Sequence, residues 1–150
     1  MNYLEQLLQN QILINAIAGW FCAQVLKTIT HLIVYRKLVL ERLIGDGGMP
    51  SAHSATVCAL ATTTLISLGP ASPEFAIAAI LAIIVMHDAC GVRLETGKQA
   101  LILNEIMEII EDMSSKSITP ENKLKIFVGH TKLQVFMGGL LGIVVAVLLS

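Results

Sequence analysis

Residues 51–90 read SAHSATVCALATTTLISLGPASPEFAIAAILAIIVMHDAC. Two apolar runs, Ser51 to Leu68 and Pro73 to about Cys90, are separated only by the turn-forming residues Gly69, Pro70, Ala71 and Ser72. At 1.5 Å per residue each run approaches the ~30 Å of a bilayer's hydrocarbon core. The pair predicts a helical hairpin in a membrane. Pro73 suits a first helical turn, where its missing N–H leaves no bond unmade, and Glu74 beside it meets the positive end of the helix dipole.

The rest of the chain agrees with that reading. Of 150 residues, 55% are hydrophobic and 14% charged, against about 25% charged in soluble domains, and the mean hydropathy is +0.74. Aromatics make up 5%, so the apolar mass is aliphatic and suits close helix packing in lipid. With a net charge of −1 and no basic tract, nothing points to a nucleic-acid partner. Cys22, Cys58 and Cys90 each lie in an apolar run; they read as small buried hydrophobes rather than a disulfide framework. The N-terminus lacks the basic region and cleavage site of a signal peptide, which predicts that the first helix is retained.

A first apolar segment runs from about Ile12 to Tyr35, with Gln24, Lys27 and His31 inside it, and a fourth from about Leu133 to Leu149. The fourth carries Gly138, Gly139 and Gly142, where a neighbouring backbone can approach. Between the third and fourth segments, Ile102, Ile106, Ile109, Ile110 and Met113 recur at helical spacing opposite Asn104, Glu105, Glu108, Glu111 and Asp112. This is an amphipathic helix, expected at the membrane interface or over the bundle. Ser114 to Asn122 reads as a loop, in which Ser117 or Thr119 is a second helix start with Pro120 in its first turn. The expected architecture is all-α: a single membrane domain over residues 1–150, with about four transmembrane helices plus the amphipathic helix. A homo-oligomer is left open.

Four crossings put the Arg36 to Pro50 loop and the Gly91 to Thr131 segment on one side of the membrane. Arg36, Lys37, Arg42, Arg93, Lys98, Lys116, Lys123, Lys125 and Lys132 all fall there or at its boundary. The positive-inside rule places that side in the cytoplasm. Basic residues kept to bind an anion would give the same bias.

The polar residues of chemical interest gather on that same side. GDGGMPSAHSA, residues 45–55, ends a loop and starts the second helix. Its glycines, Gly47 and Gly48 among them, can present backbone N–H groups to an anion, and Ser51 can cap a helix N-terminus whose dipole favours negative charge. His53 lies in the first turn of that helix. His130, in GHTKLQV at residues 129–135, starts the fourth helix on the same side. Two histidines facing an anion site can divide the roles of nucleophile and general acid. HDACGVR, residues 87–93, ends the third helix there with Asp88 and Arg93. Lys27 lies about eight residues, or ~12 Å, from the end of its helix; either it serves the site or it snorkels toward the headgroups. His31 and His87 read as structural or supporting residues. Metal binding is the weakest alternative: no Cys-x-x-Cys, His-x-x-His or compact carboxylate cluster occurs, and no cofactor is expected.

PSAH at Pro50 to His53, HDACGVRLETGKQALILNE from His87, and GHTKLQVFMGGLLG at Gly129 to Gly142 together resemble the divergent membrane branch of the type 2 phosphatidic acid phosphatase superfamily, the relatives of acid phosphatases and vanadium-dependent haloperoxidases. The resemblance covers roughly Gln24 to Gly142. It implies that Ser51 is the phosphate-binding serine, His53 the leaving-group acid and His130 the nucleophile that forms a phosphohistidine, with Lys27 the best candidate for the phosphate-binding lysine. The superfamily pattern Lys-x6-Arg-Pro is absent, Ala52 replaces the glycine of Pro-Ser-Gly-His, Leu124 stands at the third motif's arginine, and Gln134 at its aspartate. Gln134 can still accept an imidazole N–H and fix the tautomer, without charge to stabilise the imidazolium; Asp88 is the alternative carboxylate. Arg93 or Lys125 can supply the missing cation, because the transferred phosphoryl group requires cationic donors more than a set chain position. The branch shares the DxxGVR pattern, here Asp88 to Arg93.

The resulting expectation is a metal-independent membrane phosphatase acting on a lipid phosphate monoester, with phosphatidylglycerophosphate the substrate preferred by resemblance. Three alternatives stand beside it. An isoprenoid diphosphate such as undecaprenyl diphosphate is favoured if the loops face outward. A non-catalytic module that binds anionic lipid is suggested by Leu124 and Gln134. A small anion transporter would need a polar path past Thr62, Thr63, Thr64 and Ser67.

Overall fold

In a computed structural model of the chain, which describes residues 2–36, 48–114, 124 and 130–150, all regular structure is helical. The helices are α1 (Tyr3–Leu8), α2 (Gln11–Tyr35), α3 (Ala52–Leu68), α4 (Pro73–Cys90), α5 (Val92–Ser114) and α6 (Lys132–Leu149). The apolar runs and the helices coincide to within a residue at most ends, because polar caps delimit them. Asn10, Ser51, Ser72 and Thr131 each accept a first-turn backbone N–H at the start of α2, α3, α4 and α6.

Three stretches are long and apolar enough to cross a membrane: Gln11–Val34, Pro73–Ile110 and Lys132–Leu149. The shorter apolar helix α3 has 17 residues and is the hub of the bundle, packing against α2, α4 and α6. Its position explains its composition. A helix enclosed by other helices needs small side chains rather than lipid-facing aliphatics, and α3 buries Ala52, Ser54, Ala55, Cys58, Ala59 and Thr63. The outer helices turn Ile77, Ile83, Phe136 and Leu148 outward. The protein is a helical membrane bundle.

Glycine sets the spacing at the hub. A Cβ added at Gly138 would overlap the Ser51 carbonyl oxygen, and one at Gly142 the Ala55 carbonyl oxygen; at Gly19 of α2 it would stand 3.0 Å from the Ala55 oxygen. Both α6 and α2 therefore lie with their backbones against α3.

At the end away from the loops, Asn15 is fully buried. Its amide donates to the Thr63 hydroxyl at 3.2 Å and receives the Gln11 amide at 2.9 Å. Thr64 donates within α3 to the Leu60 carbonyl at 2.7 Å. Of the residues that suggested a polar path, Thr63 and Thr64 are thus engaged inside the bundle, while Ser67 is exposed.

Two helices depart from the expected boundaries. α5 starts at Val92, ten residues before the apolar periodicity at Ile102, separated from α4 only by Gly91. Among the described helices it packs on α4 alone, so it does not lie over the bundle. It buries Gly97, Ala100 and Asn104 on one face, while Ile102, Ile106, Ile109 and Ile110 are exposed. Asn104 holds the backbone of Leu124 by two bonds, giving its amide to the carbonyl at 3.0 Å and accepting the N–H at 2.9 Å. The short α1 precedes the first expected segment, with the Asn2 N–H on the Glu5 carboxylate at 3.1 Å. The second helix start at Ser117 or Thr119 lies outside the described residues.

Candidate functional site

The loop end of the bundle is knitted by backbone. The Ser51 N–H donates to the Gln134 carbonyl at 3.1 Å, joining the start of α3 to the first turn of α6. The His130 N–H donates to the Ala89 carbonyl at 3.0 Å, joining α6's approach to the last turn of α4. The Thr30 hydroxyl of α2 lies 2.9 Å from the Lys27 carbonyl oxygen and 3.1 Å from that of Met49, which ties the loop before Ser51 to the first crossing helix. Residues from four helices are held at one level.

At that level the two histidines meet. The rings of His53 and His130 have centroids 6.2 Å apart at an interplanar angle of 61°. His130 is buried, with 2% of its surface exposed, and His53 is half-buried. The two imidazoles are therefore near neighbours, close enough for both to reach one group bound at their edges.

The tautomer of His130 follows from the helix cap beside it. Thr131 and Gln134 form a capping box: the Thr131 hydroxyl accepts the Gln134 N–H at 3.3 Å, and Gln134 Oε1 accepts the Thr131 N–H at 2.9 Å. The second bond identifies that atom as the amide's oxygen, since its NH2 group cannot accept. His130 Nδ1 lies 3.3 Å from the same Oε1. In the neutral ring the proton between them belongs to Nδ1, and Nε2 carries the lone pair.

Ser51 is fully buried. Its Oγ accepts the Ser54 N–H at 3.4 Å as the α3 cap and the Ser54 hydroxyl at 3.0 Å. Both acceptor positions are used, which leaves its own O–H to donate. Lys27 is 3% exposed. Gly48, at a φ of +87° that glycine adopts without strain, lies over it: a Cβ there would stand 3.2 Å from Lys27 Cγ. The lysine stem is packed beneath the loop, so the residue belongs to the bundle interior and not to the lipid-facing rim. Gln24, one turn deeper, is 5% exposed, and its Oε1 has no hydrogen-bond partner among the described residues. Asp88 is half-buried, next to the Ala89 carbonyl that holds His130.

His53, His130, Gln134, Ser51, Gly48, Lys27 and Asp88 all belong to the segments gathered at this end. Gly47 and Lys125 lie outside the described residues, as does the side chain of Arg93. Leu124, at the position of the superfamily's arginine, has its backbone held by Asn104. Sequence reasoning missed Ser54, Thr30 and Thr131. Thr131 had a readable signal, the Thr-x-x-Gln capping box at 131–134; Ser54 and Thr30 had none, since small hydroxyl residues inside apolar helices are common.

A model of the Divergent PAP2 family matches residues 8–145 of the chain. Among known proteins, the uncharacterized membrane protein YuiD of Bacillus subtilis (strain 168) is 38% identical over 153 residues, covering 97% of this chain and 97% of its own length. No solved structure matches.

Proposed function

The chain belongs to the divergent PAP2 family, and from that premise we propose that it is a membrane lipid phosphate phosphatase working through a phosphohistidine. The observation that carries the reading is the pair of rings 6.2 Å apart, one of them with its Nδ1 3.3 Å from Gln134 Oε1.

In the proposed reaction, His130 Nε2 attacks phosphorus and the phosphorus–ester oxygen bond breaks. His53, protonated, gives its proton to the leaving oxygen. The neutral His53 then takes a proton from water, whose oxygen attacks the phosphohistidine; the phosphorus–nitrogen bond breaks, phosphate leaves and both histidines return to their starting states. Ser51, the loop N–H groups near Gly47 and Gly48, Lys27, Arg93 and Lys125 supply the donors and charge that the phosphoryl oxygens need, and Asp88 supports His130 from the end of α4. None of these steps calls on a metal ion.

A lipid substrate is supported by the depth of the site: it lies at helix ends, where a headgroup can enter while its chains stay in the bilayer. Phosphatidylglycerophosphate is the substrate we prefer, with the loop side in the cytoplasm. The test is phosphate release from a panel of lipid phosphates in detergent micelles by wild type, His130→Ala and His53→Ala, with and without EDTA. The reading expects release that survives the chelator and falls by about 10²–10⁴-fold in each variant. Release unchanged by His130→Ala overturns the nucleophile, and no release from any lipid leaves a module that only binds anionic lipid.

A further inference from the structure

An apolar groove begins where the candidate site ends. It encloses about 350 Å³ between α2 and α6, and its lining includes Leu26 and Thr30, the loop residue Pro50, and Met137, Leu141 and Val144. Pro50 is the residue before Ser51. Met137 and Leu141 follow Gln134 by three and seven positions, so they continue the same face of α6. That face is polar at the loop end, where Gln134 holds His130, and apolar for the ~10 Å from Met137 to Val144. On the facing wall the Thr30 hydroxyl joins the Lys27 and Met49 carbonyls, so helix and loop meet at the groove's head. Met137 and Val144 are 37% and 45% exposed: the groove opens sideways at the surface of the bundle.

We infer that this groove seats one hydrocarbon chain of the phosphate-bearing lipid whose headgroup lies at His53, His130 and Lys27; the inference rests on the reading of that site given above. Charge separates it from a second cleft of the bundle. That cleft, about 420 Å³ between α2 and α4, has Asn10 and Glu74 in its lining, at the end away from the histidines, and a carboxylate there disfavours a phosphate headgroup. The groove beside α6 joins an apolar trough to a buried lysine and a histidine pair, the two halves that a lipid phosphate requires.

The test uses the purified full chain in phosphatidylcholine vesicles containing a trace of phosphatidic acid with a diazirine midway along one acyl chain. Photolysis and peptide mapping locate the adducts. The expected result is labelling concentrated on residues 26–30 and 137–144, roughly tenfold above that of the same diazirine on phosphatidylcholine, as one charge-assisted headgroup contact would give. Lys27→Met should bring it down to the phosphatidylcholine level. Val144→Trp, which fills the groove from a partly exposed position, should displace the adducts. Equal labelling by the two probes, or adducts concentrated between α2 and α4, overturns the inference. Phosphate release is measured in parallel so that the two readings fail separately: headgroup-dependent labelling without release overturns catalysis and keeps the groove, while release with uniform labelling does the reverse.

Discussion

Gln134 performs two tasks with one oxygen. It accepts the Thr131 N–H, which starts α6, and it faces His130 Nδ1. An aspartate at this position has a shorter reach but adds charge; the amide keeps the geometry without it. Gln134→Ala should therefore lower phosphate release by about 10²-fold or more, in the range of lost general acid–base alignment. Gln134→Glu keeps both bonds and adds a charge beside the imidazolium that forms during attack, so release at or above the wild-type rate is expected. A Glu variant as inactive as the Ala variant would mean that Gln134 serves the helix cap alone. Gln24 offers a contrasting case. Its buried Oε1, without a partner among the described residues, costs about 1–3 kcal/mol, so Gln24→Leu should raise the thermal midpoint in detergent. A drop would show that the amide meets a donor in the working protein. Lys27 and His130 could be picked out from the sequence as polar residues beside apolar runs, but the shared oxygen of Gln134 could not, because it depends on side-chain geometry across the start of a helix.

The elements were legible where local signals bound them. The Gly69 to Ser72 turn, Pro73 and the Ser51, Ser72 and Thr131 caps act within a few residues, so α3, α4 and α6 run where their apolar stretches do. The start of α5 was hidden because Thr96 and Gly97 are weak helix formers and its first turns bury small residues rather than an apolar stripe. Gly138, Gly139 and Gly142 marked α6 as a close-packing helix, yet the partner of Gly138 and Gly142, the backbone at Ser51 and Ala55, could not be named from spacing. At Gly142 the contact is with a carbonyl oxygen, which cannot rotate away as a side chain can. Gly142→Ala should destabilise by about 1–3 kcal/mol and reduce phosphate release as well, since the same helix pair holds Ser51 and Gln134. The control is Leu148→Ala at a residue 77% exposed, expected to change stability in detergent by under about 0.5 kcal/mol. Equal loss in both variants would refute the backbone contact.

At the scale of the molecule, charge and packing divide the bundle into two ends. The described loop end gathers the histidines, Ser51 and Lys27; the far end is closed by the Asn15, Gln11 and Thr63 hydrogen bonds. The proposed cytoplasmic orientation of the basic loops puts a cysteine at the Gly69 to Ser72 turn on the outer side. In a variant whose Cys22, Cys58 and Cys90 are replaced by Ala, Ala71→Cys should react with a membrane-impermeant maleimide in intact cells. Met49→Cys should react only after the membrane is opened. The reverse pattern would move the site to the outer face and favour an isoprenoid diphosphate as substrate.

Sequence alone determined that the chain is a helical membrane protein, where most of its helices begin and end, and that nearly all its basic residues lie outside or at the boundary of its apolar runs, since run length, turn chemistry and charge bias are local properties. Only the tertiary structure decided that α3 is the hub, that α5 leaves the bundle, and that the rings of His53 and His130 come within 6.2 Å of each other. Those outcomes depend on how closely glycine lets one backbone lie against another, a contact between distant segments for which no local pattern carries the coordinates.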